Sequence, residues 1–266
     1  VLCLVMQSRD KGASSWLNAI PLKDQGLALN KQEFRDSLRM RYNLPLNDLP
    51  SLCACGDRFN IKHALTCKKG GFVAQRHDGV RNLLTSLLAK VCKNVEIEPH
   101  LLPLDNERFN LRSANTSPEA RLDMKADGFW LRGATAFFDV RVTHVNSNCN
   151  QGRPTQMIFK EHENEKKRKY QQRVLDVEMG TFTPLVFGTN GGMGTECQMF
   201  VKQLAVKLAE KDQERYSVVI AWLRTRLSFE ILRAVHVSVR GTRLPFNRKQ
   251  PEVVDDFSLN VEAAGI

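Results

Sequence analysis

The sequence predicts a mixed α/β (α+β) fold, a small mixed sheet with helices packed on it. Three observations predict it. Residues 121–144 alternate apolar and polar in two runs around Gly133, the pattern of a β-hairpin. Residues 76–93 carry Val80, Leu83, Leu84, Leu87, Leu88 and Val91 at spacings of three and four, the stripe of an amphipathic helix. The element order of helix, strand, hairpin, helix, strand and helix suits one sheet covered by helices, over roughly residues 75–240.

The elements follow in chain order. Residues 1–50 read as mainly helical: Ser14 and Ser15 precede Trp16 and Leu17, and Phe34, Leu38 and Tyr42 stand at helical spacing before Pro45 and Pro50. Residues 51–72 are a Cys/His segment, expected as loops, ending in Gly70 and Gly71. Val95, Ile97 and Pro99 suggest a strand end, and residues 105–119 are polar and loop-like. The hairpin runs from Arg121 to Trp130 and from Thr135 to His144. A loop rich in Asn, Gly and Pro covers 146–156, and a long charged helix covers 160–178. Phe182 to Phe187 is a short strand, Thr189 to Gly192 a turn, and 195–211 and 215–234 are two more helices. The predicted units are therefore a helical segment 1–50, a metal-binding segment 51–72, a core 75–240 and a tail 241–266.

Composition bounds the function. The 266 residues allow one large domain or two modest ones, and 42% hydrophobic residues supply a core. No run reaches the roughly 18 apolar residues of a membrane span. The start, Val1 to Met6, is too short for a signal-peptide core, and the first residue is not Met, so the chain reads as a piece of something longer. A net charge of +10 points to a polyanionic partner. Seven cysteines, an odd number with one cluster, fit a reducing compartment rather than a disulfide framework.

Cys53, Cys55, His63 and Cys67 form C-x-C-x7-H-x3-C. Four such ligands suit a tetrahedral, closed and hence structural zinc site. Gly56 permits a tight turn after the second thiol. The spacing of four from His63 to Cys67 puts both on one face of a helical turn. On the hairpin, Asp123 follows Leu122 and precedes Met124, and Asp139 sits inside Ala136-Phe-Phe-Asp-Val-Arg-Val142. A carboxylate there is costly to bury unless it is paired or binds a metal. Two carboxylates across a hairpin suit Mg²⁺, with an Asp–Arg salt bridge to Arg141 or Arg121 as the plain alternative. On the long helix, Lys166, Tyr170 and Arg173 share a face, with Lys169 one turn from Lys166. Such a face could hold phosphates, and an ordinary solvated helix is the alternative.

The order of these pieces is more specific than any of them. The Cys-Cys-His-Cys segment precedes Arg76-His77-Asp78, then Asp123 and Asp139, then Lys166-x2-Lys169-Tyr170. Over roughly residues 50–190 this resembles the C-terminal, restriction-like endonuclease region of non-LTR retrotransposon polyproteins and related reverse-transcriptase-associated proteins. The resemblance implies a PD-(D/E)XK fold and Mg²⁺- or Mn²⁺-dependent cleavage of DNA, the nick exposing a 3′ end that primes reverse transcription. By position, Asp123 and Asp139 would be catalytic metal ligands, with Leu122 where the family has Pro. Asp127 is the alternative first ligand. Arg76 and His77 match the family's R-H-N, with Asp78 in place of Asn. Arg141 stands where the wider fold has Lys and stays protonated, so Lys166 would supply the amine, with Lys169, Tyr170 and Arg173 on the DNA backbone. The basic stretch 217–250 would grip flanking DNA. The implied partners are target DNA, element RNA and an upstream reverse transcriptase, and the implied location is the nucleus. The other two readings are a non-catalytic nucleic-acid-binding module and a structural zinc domain within a polyprotein.

Overall fold

The computed structural model describes residues 6–243. Four strands form one mixed sheet in the order β1 (Lys93–Ile97), β2 (Met124–Asp127), β3 (Thr135–Thr143) and β4 (Thr181–Gly188). β1 with β2 and β2 with β3 are antiparallel, and β3 with β4 is parallel from Ala136↔Thr181 to Thr143↔Gly188. A parallel neighbour requires a crossover. The long charged helix supplies it, running Thr155–Asp176 between β3 and β4. Pro184, which lacks an N–H, is tolerated because β4 is an edge strand.

The remaining helices in chain order are α1 (Lys31–Arg41), α2 (Ile61–Thr66) and α3 (Phe72–Val91) before the sheet, α4 (the crossover helix), then α5 (Thr195–Asp212) and α6 (Tyr216–Arg240). Asn30 starts α1 with a full capping box: its side chain accepts from the backbone N–H groups of Gln32 and Glu33, and Glu33 reaches back to the Asn30 N–H. Alternation along β3 divides the core. Ala136, Phe138 and Val140 join Val80, Leu84 and Leu88 of α3, Phe200 and Leu204 of α5, and Leu223 and Leu227 of α6. Phe137 faces the other way, into a cluster with Leu122, Phe182, and Tyr170 and Val174 of α4. Thus α4 covers one face of the sheet, while α3 and α5 cover the other with α6 packed against both.

Three expectations need correction. The first hairpin strand starts at Met124, because the chain bends at Asp123. Leu122 and Met124, two apart, therefore lie in different apolar clusters instead of sharing a face. In residues 6–50 helix is limited to α1, the 3-10 turn Ser15–Asn18 and residues 6–8, since Gly12 and Gly26 take positive φ and Pro21 interrupts the rest. Residues 51–72 are not all loop, because Asn60 caps α2 through the His63 N–H. The N-terminal segment lies on α6, where Trp16 and Leu27 pack with Phe229 and Leu232. The predicted tail from residue 244 onward falls outside the described residues.

Candidate functional site

Two constellations gather titratable side chains. The first is the Cys/His segment. An antiparallel bridge between Leu52 and Arg58 closes a small loop. Inside it the Cys53 N–H donates to Asp57 O at 2.8 Å and the Gly56 N–H to Cys53 O at 2.9 Å. Gly56 sits at φ 96°, which favours glycine. This loop presents Cys53 and Cys55. Helix α2 presents His63, and Cys67 follows as its C-cap, its N–H donating to His63 O. Ligand atoms of Cys53, Cys55, His63 and Cys67 all lie within 4.8 Å of one another. The Cys53 and Cys67 sulfurs are 3.9 Å apart, and Cys55 Sγ is 3.3 Å from His63 Nε2. Tetrahedral zinc with bonds of about 2.3 Å to sulfur and about 2.0 Å to nitrogen spaces such pairs by ~3.8 and ~3.5 Å. The four residues fit zinc, and they leave no ligand position for chemistry. Burial pushes the Cys53 thiol up, but the Cys55 backbone N–H and the neighbouring His63, Cys55 and Cys67 outweigh it and bring it to about 7.

The second constellation lies where β2 parts from β3. Asp139 on β3 is 5% exposed, on the face turned to α4. Lys166 of α4 puts Nζ 2.6 Å from Asp139 Oδ2. This ammonium is the ion-pair partner of the Asp139 carboxylate. Burial raises the Asp139 pKa above the ordinary carboxylate value; the Lys166 charge opposes this and the Asp123 charge adds to it. The bend before β2 turns the Asp123 carboxylate toward β3, where its Oδ2 accepts the Val140 N–H at 2.6 Å. The same oxygen is 3.0 Å from His77 Nε2, which also lies 3.1 Å from Val140 O. His77 Nδ1 is 3.2 Å from Asp78 Oδ1. With acceptors at both ring nitrogens, the imidazolium form satisfies both. Burial works against the His77 charge, but Asp123 and Asp78 outweigh it and raise its pKa.

The structure thus brings Asp123, Asp139, Lys166 and His77 together. Asp127 lies elsewhere, accepting from Asn94 and Thr135, so the alternative first ligand is separated from this group. The remaining nucleic-acid contacts expected from sequence are placed differently. Arg76 is 2% exposed and donates to Leu65 O, with Ser238 Oγ also within reach. Arg173 is fully buried and donates to the carbonyls of Leu102, Asn115 and Ser117. Tyr170 belongs to the apolar cluster beneath α4. Lys166, Tyr170 and Arg173 do share a face, but that face is turned inward, since α4 must cover Phe137 and Phe182. Lys169 is exposed, its ammonium over the Tyr170 ring. Arg141 ion-pairs with Glu165 at 2.7 Å. Four of the five arginines within 217–243 are also committed inward: Arg226 donates to Gln25 O, Arg233 to Ala28 O, Arg240 to Asp36, and Arg243 to Ala64 O. Residues 244–250 of that stretch lie outside the described residues.

Sequence reasoning missed Glu165, which removes Arg141 from the site, and Asp78 as the second partner of His77. Only Asp78 had a signal, its place directly after His77. Among the described residues the Cys/His cluster is the one group of three or more such ligands close enough for a shared metal. Neither Asp123 nor Asp139 belongs to such a group.

No protein-family model matches the sequence, and no curated protein matches it either. No helix among the described residues is long and apolar enough to cross a membrane.

Proposed function

We propose that the chain is the PD-(D/E)XK-type endonuclease region of a retrotransposon-type protein, a hydrolase that nicks DNA with Mg²⁺ or Mn²⁺. The observation that carries the proposal is the Asp139 carboxylate, buried on β3 between the apolar Phe138 and Val140, near the Asp123 charge and facing Lys166. A buried carboxylate is expensive unless paired, and clusters of perturbed groups mark functional sites.

The residues fit a hard cation. Mg²⁺ is commonly held by one or two carboxylates with waters completing its shell, and the buried Asp139 carboxylate, whose pKa the neighbouring Asp123 charge helps to raise, supports this. Asp123 and Asp139 would hold the ion, which when bound supplies charge stabilisation and an acidified water. The chain's own residues do the rest. His77 and the Val140 N–H fix the Asp123 carboxylate. Lys166 holds positive charge beside Asp139 and has three donors for a phosphate oxygen or the attacking water. Glu165 keeps Arg141 away. In hydrolysis the water oxygen bonds to phosphorus, the P–O3′ bond breaks, and the departing oxygen takes a proton, leaving a 3′ hydroxyl. Zinc at Cys53, Cys55, His63 and Cys67 would hold the adjoining segment in shape.

A second reading is a zinc-containing nucleic-acid-binding module without catalysis. It is favoured by the Lys166 ion pair, which already neutralises Asp139, and by the inward turn of Tyr170 and Arg173. Supercoiled plasmid incubated with the protein and Mg²⁺ or Mn²⁺ separates the two. Nicking by the wild type and its loss in Asp139→Asn and Lys166→Met, with folding intact, is the expected result. Absent nicking, or equal nicking by all three, refutes catalysis, and salt-sensitive DNA retention without nicking establishes the second reading.

A further inference from the structure

A cavity of about 460 Å³ opens beyond the carboxyl ends of β3 and β4. Ligands of α/β sheets settle outside the carboxyl ends of parallel strands, and small-molecule sites run from about 300 to 1,000 Å³. Val145 and Asn146 line it from the segment after β3, Thr189 and Asn190 from the turn after β4. Trp16, α1, α2 and α6 close over it, with Ile61, Leu65, Ile231 and Leu232 as its apolar wall.

Its polar groups point to one chemistry. Among the described residues, Arg41 and Lys62 are the only charged side chains in the lining, and no carboxylate is among them. Arg41 is held in place by Ser14 Oγ and Ala13 O. Lys62 stands exposed on α2. Asn43 and Gln151 add amide groups, the side chains that pair with base edges through a donor and an acceptor, while the lining amides of Asn146 and Asn190 are held by Gln7, Asp10 and Gly192. His144 also lines the cavity and is nine-tenths buried. Its Nδ1 lies 3.1 Å from Thr189 Oγ1, while its buried Nε2 has no hydrogen-bond partner. Burial, with the charges of Arg76 and Lys62, keeps this imidazole neutral. An apolar wall with an aromatic ring, amides, an unpaired imidazole nitrogen and two cations suits a flat heteroaromatic body that carries an anionic group.

We propose that this cavity binds a single nucleotide, its base against the apolar wall and its phosphate toward Lys62 and Arg41. The nucleotide comes either free, as a nucleoside monophosphate, or as an end or extruded nucleotide of a strand. The site is independent of the nuclease reading, since neither Asp123 nor Asp139 lines the cavity.

The zinc-loaded protein, without added Mg²⁺, is titrated calorimetrically with dAMP, dCMP, dGMP and dTMP, with a short single-stranded oligonucleotide, and with inorganic phosphate. At least one mononucleotide, or the oligonucleotide alone if a strand is the source, binds saturably below millimolar concentration. Lys62→Glu, a surface change that leaves the core intact, weakens it at least tenfold, and His144→Gln weakens it as well. Asp139→Asn retains nucleotide binding, so loss of nicking and loss of this site are told apart. Three results overturn the proposal: no binding in either arm, equal binding by wild type and Lys62→Glu, or phosphate alone binding as tightly as the nucleotides.

Discussion

Replacing Lys166 by Met tests the centre of the candidate site without touching a carboxylate. Lys166 Nζ and Asp139 Oδ2 are 2.6 Å apart, with the side chains 20% and 7% exposed. Their gross attraction is ~6 kcal/mol at an effective dielectric constant of about 20, much of it spent against desolvation. Removing one partner of a buried pair costs about 3–5 kcal/mol, because the survivor keeps a buried, uncompensated charge. Lys166 is partly solvated, so the lower end applies, about 3 kcal/mol. In a chain of this size that lowers the melting temperature by about 6–12 °C. Asp139→Asn in the same background removes the stranded charge, and the double-mutant cycle gives a coupling of about 2 kcal/mol. Urea unfolding of the four proteins, with zinc and without Mg²⁺, measures it. A cost below about 1 kcal/mol for Lys166→Met, with no coupling to Asp139, would refute the pairing and with it the role given to Lys166.

Three further outcomes are expected. Metal analysis after dialysis gives one zinc per chain, lost in Cys67→Ser, and a chelator opens residues 51–70 to protease while the sheet stays folded. His144 titrates at about 4 in the folded chain and near 6.5 unfolded, so the unfolded state takes up the proton first and stability falls as pH drops through that window. Between pH 7 and 5 the loss is about 2 kcal/mol, and unfolding curves of His144→Gln show a slope smaller by that amount. Phe200→Ala, which removes a fully buried ring stacked on Phe129 and edge-on to Phe138, costs about 4 kcal/mol in chemical unfolding.

The sequence disclosed its elements wherever a period was strong. The hairpin around Gly133, the helix at 72–91 and the strand at 181–188 lie within a few residues of where alternation and three-four spacing put them. The Cys/His cluster was legible because its four ligands are close in the chain, so local geometry alone assembles them. The orientation of α4 was not. Periodicity groups Lys166, Tyr170 and Arg173 on one face but does not say what that face meets, and on a helix so charged polar residues look solvated. The bend at Asp123 was hidden for a related reason. Alternation continues through it in the sequence, and the contacts of the Asp123 carboxylate with Val140 and His77 are tertiary, with no local signal.

The burial of arginine also changes what the net charge means. Arg76 and Arg243 donate to Leu65 O and Ala64 O of α2, tying the zinc segment to α3 and to the end of α6. Arg173 gathers the carbonyls of the 102–117 loop onto α4. Arg226, Arg233 and Arg240 do the same for the N-terminal segment along α6. Irregular segments carry carbonyls that no helix or strand satisfies, and burying them requires donors. A guanidinium brings five donors on a long stem, so one arginine can close several carbonyls at once. These six cations are therefore spent on holding loops to helices, and a +10 chain need not present a +10 surface. Charge reversal on an exposed cation such as Lys62 or Lys169 should weaken polyanion binding with little loss of stability. Neutralising Arg76 or Arg173 should instead cost stability first, because it leaves buried carbonyls without donors.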